Sequence, residues 1–160
     1  QGGCEREPRT VIRVVFDTNV LVSYLLTHRP PIATLVELYL ARERITAVTA
    51  PRLLEELERV LRCPRLRQYM REEEATRFLA MVAALSEVVV LPDEVPRICR
   101  DRDDDWVIAC AVAGDADVVV RGDDDLLALN ETLHEVAGVG VMSPAELLAV
   151  LAKRDTENTE

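Results

Sequence analysis

Acidic residues recur in this chain where a strand should end or a helix should begin. Asp17 terminates the apolar run "VIRVVF" and is followed by Thr18 and Asn19. The stretch "RDRDDDWVIAC" sets Asp101, Asp103, Asp104 and Asp105 ahead of an apolar helix, and "DVVVRGDDDLLAL" sets Asp123, Asp124 and Asp125 behind an apolar strand. Glu55 and Glu56 stand inside "PRLLEELERVLR". Asp is a favoured helix N-cap, and first-turn acids gain about 0.3–1 kcal/mol each from the helix dipole. One Asp of each triplet is therefore expected to cap its helix and another to face water. Capping requires neither three acids nor an Asp at the buried end of a first strand.

If the strands are neighbours, Asp17, Asp105 and Asp123 meet at one edge of the sheet, and the helix after the second strand can add a Glu. Clustered carboxylates raise one another's pKa, and a divalent cation removes that conflict. A donor set made only of oxygen, without Cys or His, selects Mg²⁺ or Mn²⁺. Such an ion polarises a phosphoryl oxygen and activates water, so the expected chemistry is on phosphate esters.

Other chemistries find little support. His28 and His134 fall in loop-like segments without an acid at useful spacing, so no Ser–His–Asp arrangement is visible. Neither GxGxxG nor a P-loop occurs. Asp17 and Asn19 only partly match the DxD start of haloacid-dehalogenase-like phosphatases, since the second Asp is missing. A phosphatase using the same acids ranks last. A receiver domain needs a late Lys near the acids, and the only Lys is Lys153, near the end. The four cysteines, Cys4, Cys63, Cys99 and Cys110, lack CxxC spacing, which argues against zinc and for reduced thiols in a cytoplasmic protein.

These acids need elements to hold them. "VIRVVFD" reads as a buried strand, "NVLVSYLL" and "RPPIATLVELYLARER" as helices, and "ITAVTA" as a second strand. "PRLLEELERVLR" (51–62) has Pro51 in its first turn and Leu53, Leu54, Leu57, Val60 and Leu61 on one face. "REEEATRFLAMVAAL" (71–85) is another amphipathic helix, and "EVVVL" (87–91) a short strand. Next come the helix "DWVIACAVA", the strand "DVVVR" and a last strand "GVGVM" (138–142). "SPAELLAVLAKR" (143–154) opens on a Ser cap with Glu146 three residues on. Alternating strands and helices predict an α/β protein, with helices on both faces of a mostly parallel sheet and ligands at the carboxyl ends of the strands.

The chain has 160 residues, 49% of them hydrophobic and 30% charged, which suits one folded domain. Its boundaries are expected at 11–153, with residues 1–10 a disordered extension or non-native remnant and 154–160 a disordered tail. The first ten residues carry no apolar signal-peptide core, and no run is long enough to cross a membrane. The net charge of −10 repels nucleic acid overall. Arg59, Arg62, Arg65, Arg67 and Arg71 nevertheless form a local basic run without an acid among them, and the first four are candidate RNA contacts.

Taken together, "VVFDTNVLVSYLL", "TAPRLLEELERVLRCPRLR", "RDRDDDWVIACAVAGDADVVVRGDDDLLAL" and "VMSPAELLAVL" resemble a PIN domain of the toxin branch, similar to VapC-type toxins of toxin–antitoxin pairs. The resemblance spans about residues 11–150 and implies a three-layer α/β/α fold and an endoribonuclease dependent on Mg²⁺ or Mn²⁺. It assigns Asp17, Glu56, Asp105 and Asp123 as catalytic metal ligands, with Glu55 the second choice for the helical Glu. Asn19 and Asp125 become auxiliary residues. It also implies an RNA substrate, an antitoxin partner and a homodimer. One departure stands out: Arg121 occupies a position usually held by Thr or Ser. A guanidinium there could compete with the cation or grip a phosphate. That departure, with the acidic surface, motivates an alternative: a catalytically weak PIN-like module that binds RNA or protein.

Overall fold

The structure, a computed structural model, describes residues 11–122 and 138–158. The N-terminal extension and the expected site residues Asp123 and Asp125 lie outside the described residues. The first strand, β1 (Ile12–Phe16), is at the centre of a five-stranded sheet. The others are β2 (Ile45–Thr49), β3 (Ser86–Val88), β4 (Val118–Val120) and β5 (Gly140–Met142). The order is β3-β2-β1-β4-β5, and every pairing is parallel.

The helices are α1 (Thr18–Thr27), α2 (Ile32–Thr34, wound on as a π-helical stretch over Leu35–Leu40), α3 (Pro51–Leu61), α4 (Glu72–Leu85), α5 (Arg102–Ala113) and α6 (Pro144–Asn158). Alternation along the strands divides the apolar residues between two cores. Val14, Phe16, Val118 and Val120 face one core, with α1, α2, α4 and α6. Val15, Val48 and Val119 face the other, with Val107, Ile108 and Ala111 of α5. This is the expected α/β/α sandwich.

Three expected boundaries move, each for a local reason. The β3 ladder pairs Ala47 with Ser86 and Thr49 with Val88, and its last bond runs from Val89 N–H to the Thr49 carbonyl at 2.8 Å. Beyond Thr49 the chain turns into α3, so Val90 and Leu91 have no strand to join, and Val90 is 89% exposed. On the other edge β5 shortens to match β4, its partner of three residues. At the end, α6 runs to Asn158 rather than fraying after Lys153. Asp155 accepts from Tyr39 Oη at 2.8 Å and pairs with Arg44, which ties this last turn to the body. The Ser143 cap forms as expected: Glu146 N–H donates to Ser143 Oγ at 3.1 Å, and Ser143 N–H donates to Glu146 Oε1 at 3.0 Å.

Below the sheet, Gly114 closes α5 against β2. A Cβ added there would stand 2.2 Å from Val48 Cγ1, so only glycine permits this approach. Among the described residues, no helix is long and apolar enough to cross a membrane.

Candidate active site

Strand register brings the first two site residues together. Phe16 pairs with Val120, so the next residues, Asp17 and Arg121, leave the sheet side by side at its carboxyl edge. Asp17 N–H donates to the Val120 carbonyl at 3.0 Å, and Arg121 N–H to that of Met142 at 3.0 Å, extending the ladder to the mouth of the site. Asp17 precedes α1, but its side chain does not cap that helix. Its carboxylate is left facing the sheet edge, where Arg121 Nε lies 3.9 Å from Asp17 Oδ2.

The acidic run before α5 divides by helical angle. Asp101 caps the helix, accepting from Asp103 N–H at 3.0 Å. Asp104, three and four residues ahead of the buried Val107 and Ile108, lies on the sheet side of α5. Its Oδ1 accepts from Arg121 Nη1 at 2.7 Å. Asp105 lies a further 100° around the helix and is buried in a different setting. Its Oδ1 accepts from the amides of Cys99 (2.7 Å) and Ile98 (3.0 Å), and its Oδ2 from Arg102 Nη1 at 3.1 Å. Asp105, expected to stand with Asp17, has its oxygens engaged by the preceding loop and Arg102, and it is Asp104 that shares Arg121 with Asp17.

Glu56 reaches the same edge from α3. Its Oε2 accepts from Thr18 Oγ1 at 3.1 Å, which ties α3 to the first residue of α1. Asn19, expected to support Asp17, is exposed on the first turn of α1, and Thr18 is the residue that contacts an acid. Glu55, the second choice, is exposed and lines a cleft between α3 and α5. Of the basic run, Arg59 lines that cleft, with Nη2 3.9 Å from Glu56 Oε1. Arg62 pairs with Glu58 at 2.8 Å, and Arg67 donates to the Leu61 carbonyl; both border a separate groove between α3 and α4. Arg65 is exposed on the short 3-10 turn Pro64–Gln68. The four arginines therefore do not form one patch at the acids.

The charges act in opposite senses on the two buried acids. Burial pushes the Asp17 carboxyl above its ordinary range; Arg121 opposes this, while Glu56 and Asp104 add to it. Burial also acts against ionised Asp105, but the amides of Cys99 and Ile98, the Cys99 thiol and Arg102 outweigh it and hold its pKa low. Burial and the bond to Asp105 push the Cys99 thiol up to about 12, and burial alone does the same for Cys110. Neither is a nucleophile at neutral pH.

Among the described residues, no three acids, histidines or cysteines stand close enough to enclose a metal ion as they are. The donor chemistry still suits one. Asp17, Glu56 and Asp104 are all oxygen donors at this edge, and Glu56 and Asp104 are near enough to add to the rise in the Asp17 pKa that burial chiefly causes. The sequence did not single out Asp104 as the partner of Arg121 or Thr18 as that of Glu56. The signal for Asp104 lay in its spacing: it is three and four residues before Val107 and Ile108, the apolar residues that face the sheet.

A PIN domain family model matches residues 13–125. The uncharacterized protein MJ1680 of Methanocaldococcus jannaschii is 33% identical over 129 residues, covering 79% of this chain and 81% of that protein. Two solved structures share the fold. PAE2754 from Pyrobaculum aerophilum aligns at TM-score 0.59 and 18% identity, over 91% of this chain and 94% of that one. VapBC2 from Rickettsia felis, bound to a DNA fragment from its promoter, aligns at TM-score 0.55 and 14% identity, over 81% and 97%. The chain belongs to the PIN domain family, whose members are generally nucleases that use divalent metal ions.

Proposed function

We propose that this protein is an endoribonuclease dependent on Mg²⁺ or Mn²⁺ that hydrolyses phosphodiester bonds in RNA. Its setting is that of the toxin in a cytoplasmic toxin–antitoxin pair, acting as a homodimer held by an antitoxin. The observation that supports the reading is Arg121 set between Asp17 (3.9 Å) and Asp104 (2.7 Å), with Glu56 bonded to Thr18, at the carboxyl edge of a PIN-domain sheet. The likeness to VapBC2 supports the toxin–antitoxin setting.

In this reading Asp17, Glu56 and Asp104 hold the ion, with Asp123 as a fourth ligand and Asp125 assisting. A bound divalent cation supplies polarisation of a phosphoryl oxygen and activation of water. Thr18 fixes the rotamer of Glu56 through its hydroxyl. Arg121, buried between two acids at the sheet edge, turns toward a non-bridging phosphate oxygen as the substrate arrives and stabilises charge developing there. Asp105 positions the start of α5, and with it Asp104, by anchoring the loop at Ile98 and Cys99.

Arg121 also favours a second reading, a catalytically weak RNA- or protein-binding module. Its guanidinium stands within 2.7 Å of one acid and 3.9 Å of another, where it competes with a cation for both. Incubation of single-stranded RNA with the purified protein separates the two. The nuclease reading expects cleavage with Mg²⁺ or Mn²⁺ that stops in EDTA. RNA that is bound but left intact at every metal concentration would select the binding module.

A further inference from the structure

A cleft of about 260 Å³ opens between α3 and α5, directly beside the acids. Glu56 lines it and also takes the Thr18 bond at the sheet edge, so the cleft and the candidate metal site share a wall. Its other walls come from Arg52, Leu53, Glu55 and Arg59 on α3 and from Asp103 and Trp106 on α5.

Three features of these walls suit one kind of ligand. The Arg52 guanidinium lies over the Trp106 ring, 4.8 Å from its centroid, and Arg102 approaches the same indole at 5.6 Å. Arg52 is thus held as a flat, charged platform, and guanidinium planes and aromatic rings are the surfaces on which unpaired bases stack. Second, Arg59 is 71% exposed, and its contact with Glu56 is long at 3.9 Å, which leaves donors for a phosphate on the side nearest the acids. Third, the indole Nε1 of Trp106 is buried and has no hydrogen-bond partner among the described residues, a donor that only an acceptor can satisfy.

From this arrangement we infer that the cleft is a nucleotide subsite for single-stranded RNA. It receives the nucleotide next to the scissile phosphate: the base stacks on the Arg52–Trp106 pair and the following phosphate is held by Arg59. The inference rests on the nuclease reading of the adjacent acids and adds the residues that hold the nucleotide beside the scissile phosphate. A duplex keeps its bases stacked on one another and offers none to the platform.

Trp106 is the chain's only tryptophan, so its emission reports on this cleft alone. The Asp17→Asn protein is titrated in Mg²⁺ with a fluorescently labelled single-stranded RNA decamer, following label anisotropy and Trp106 emission together. The expected result is saturable quenching that tracks the anisotropy, absent with the blunt duplex of the same sequence. In an added Arg52→Ala or Arg59→Ala background, single-strand affinity should fall by about tenfold while the thermal midpoint is unchanged. Binding by anisotropy without a change in emission would overturn the subsite. So would equal quenching by the duplex, undiminished affinity in both arginine variants, or no single-strand binding by either signal. Cleavage by the wild-type protein in Mg²⁺ tells the two failures apart: if cleavage persists, the subsite alone falls, and if it is absent, the nuclease reading falls with it.

Discussion

Arg121 Nη1 lies 2.7 Å from Asp104 Oδ1, and through this contact the first turn of α5 closes onto the ends of β1 and β4. The guanidinium is buried, and its Nε also lies 3.9 Å from Asp17. One side chain therefore offsets the repulsion between two acids from separate elements. The same position makes it a rival to a metal ion.

Replacing Arg121 tests that rivalry. Arg121→Ser removes a buried side chain and a charge partner of both acids, so the metal-free protein is expected to lose thermal stability. Its affinity for Mn²⁺, measured by calorimetry, should rise by about tenfold, or about 1.4 kcal/mol. An unchanged Mn²⁺ affinity would show that Arg121 does not stand in the cation's way.

Asp17 is expected to oppose folding at neutral pH in the absence of metal. Its folded pKa is raised above the ordinary value of 3.8, chiefly by burial, despite Arg121. Its contribution to stability is therefore complete below that ordinary value and is lost as pH rises through the folded one. Asp17→Asn should raise the melting temperature of the metal-free protein above that window and give no gain below it. The wild type should be stabilised by Mn²⁺, by about 2.7 kcal/mol at a hundred times Kd, and the variant should not. A variant that melts below the wild type at neutral pH without metal would contradict this.

Asp105 should behave in the opposite way. Its pKa is held low by amides and Arg102 despite burial, so its contribution is present above the ordinary 3.8 and lost as pH falls through the lowered folded value. Asp105→Ala leaves two partly buried amides without their acceptor and is expected to cost about 1–3 kcal/mol in urea unfolding. Asp104→Asn should cost far less, because its carboxylate is partly exposed on the rim. Equal losses at the two positions would mean that their roles are not separate.

Gly114 offers a check on the fold itself. Gly114→Ala drives a methyl into Val48 and should cost about 1–3 kcal/mol through displacement of α5 or β2. Chemical denaturation measures it, and a neutral substitution would show that α5 does not pack this closely on the sheet.

The strands and helices were legible because their apolar spacing is strong: "VVF" and "VVV" can only be buried, and "PRLLEELERVL" has one apolar face. Sheet order was not legible, since nothing in the residues of β4 states that it lies beside β1. Once Phe16 pairs with Val120, the proximity of Asp17 to Arg121 follows. The choice between Asp104 and Asp105 was equally hidden. Neighbouring Asp residues are chemically identical, and only the 100° step of α5, together with the Cys99 and Ile98 amides, sends one to the rim and the other into the loop. The end of α6 was missed because a polar tail reads as frayed until Tyr39 and Arg44 are seen to hold Asp155.

Metal-dependent cleavage of single-stranded RNA by the wild type, Asp17→Asn, Asp104→Asn and Asp105→Asn, assayed side by side at a temperature where all four are folded, tests the central claim most directly. Cleavage in Mn²⁺ is expected to fall by at least about a hundredfold in Asp17→Asn and Asp104→Asn, or about 2.7 kcal/mol in transition-state free energy, and to persist in Asp105→Asn. Activity retained in Asp104→Asn and abolished in folded Asp105→Asn would contradict the assignment, and intact RNA with the wild type at every metal concentration would contradict the account as a whole.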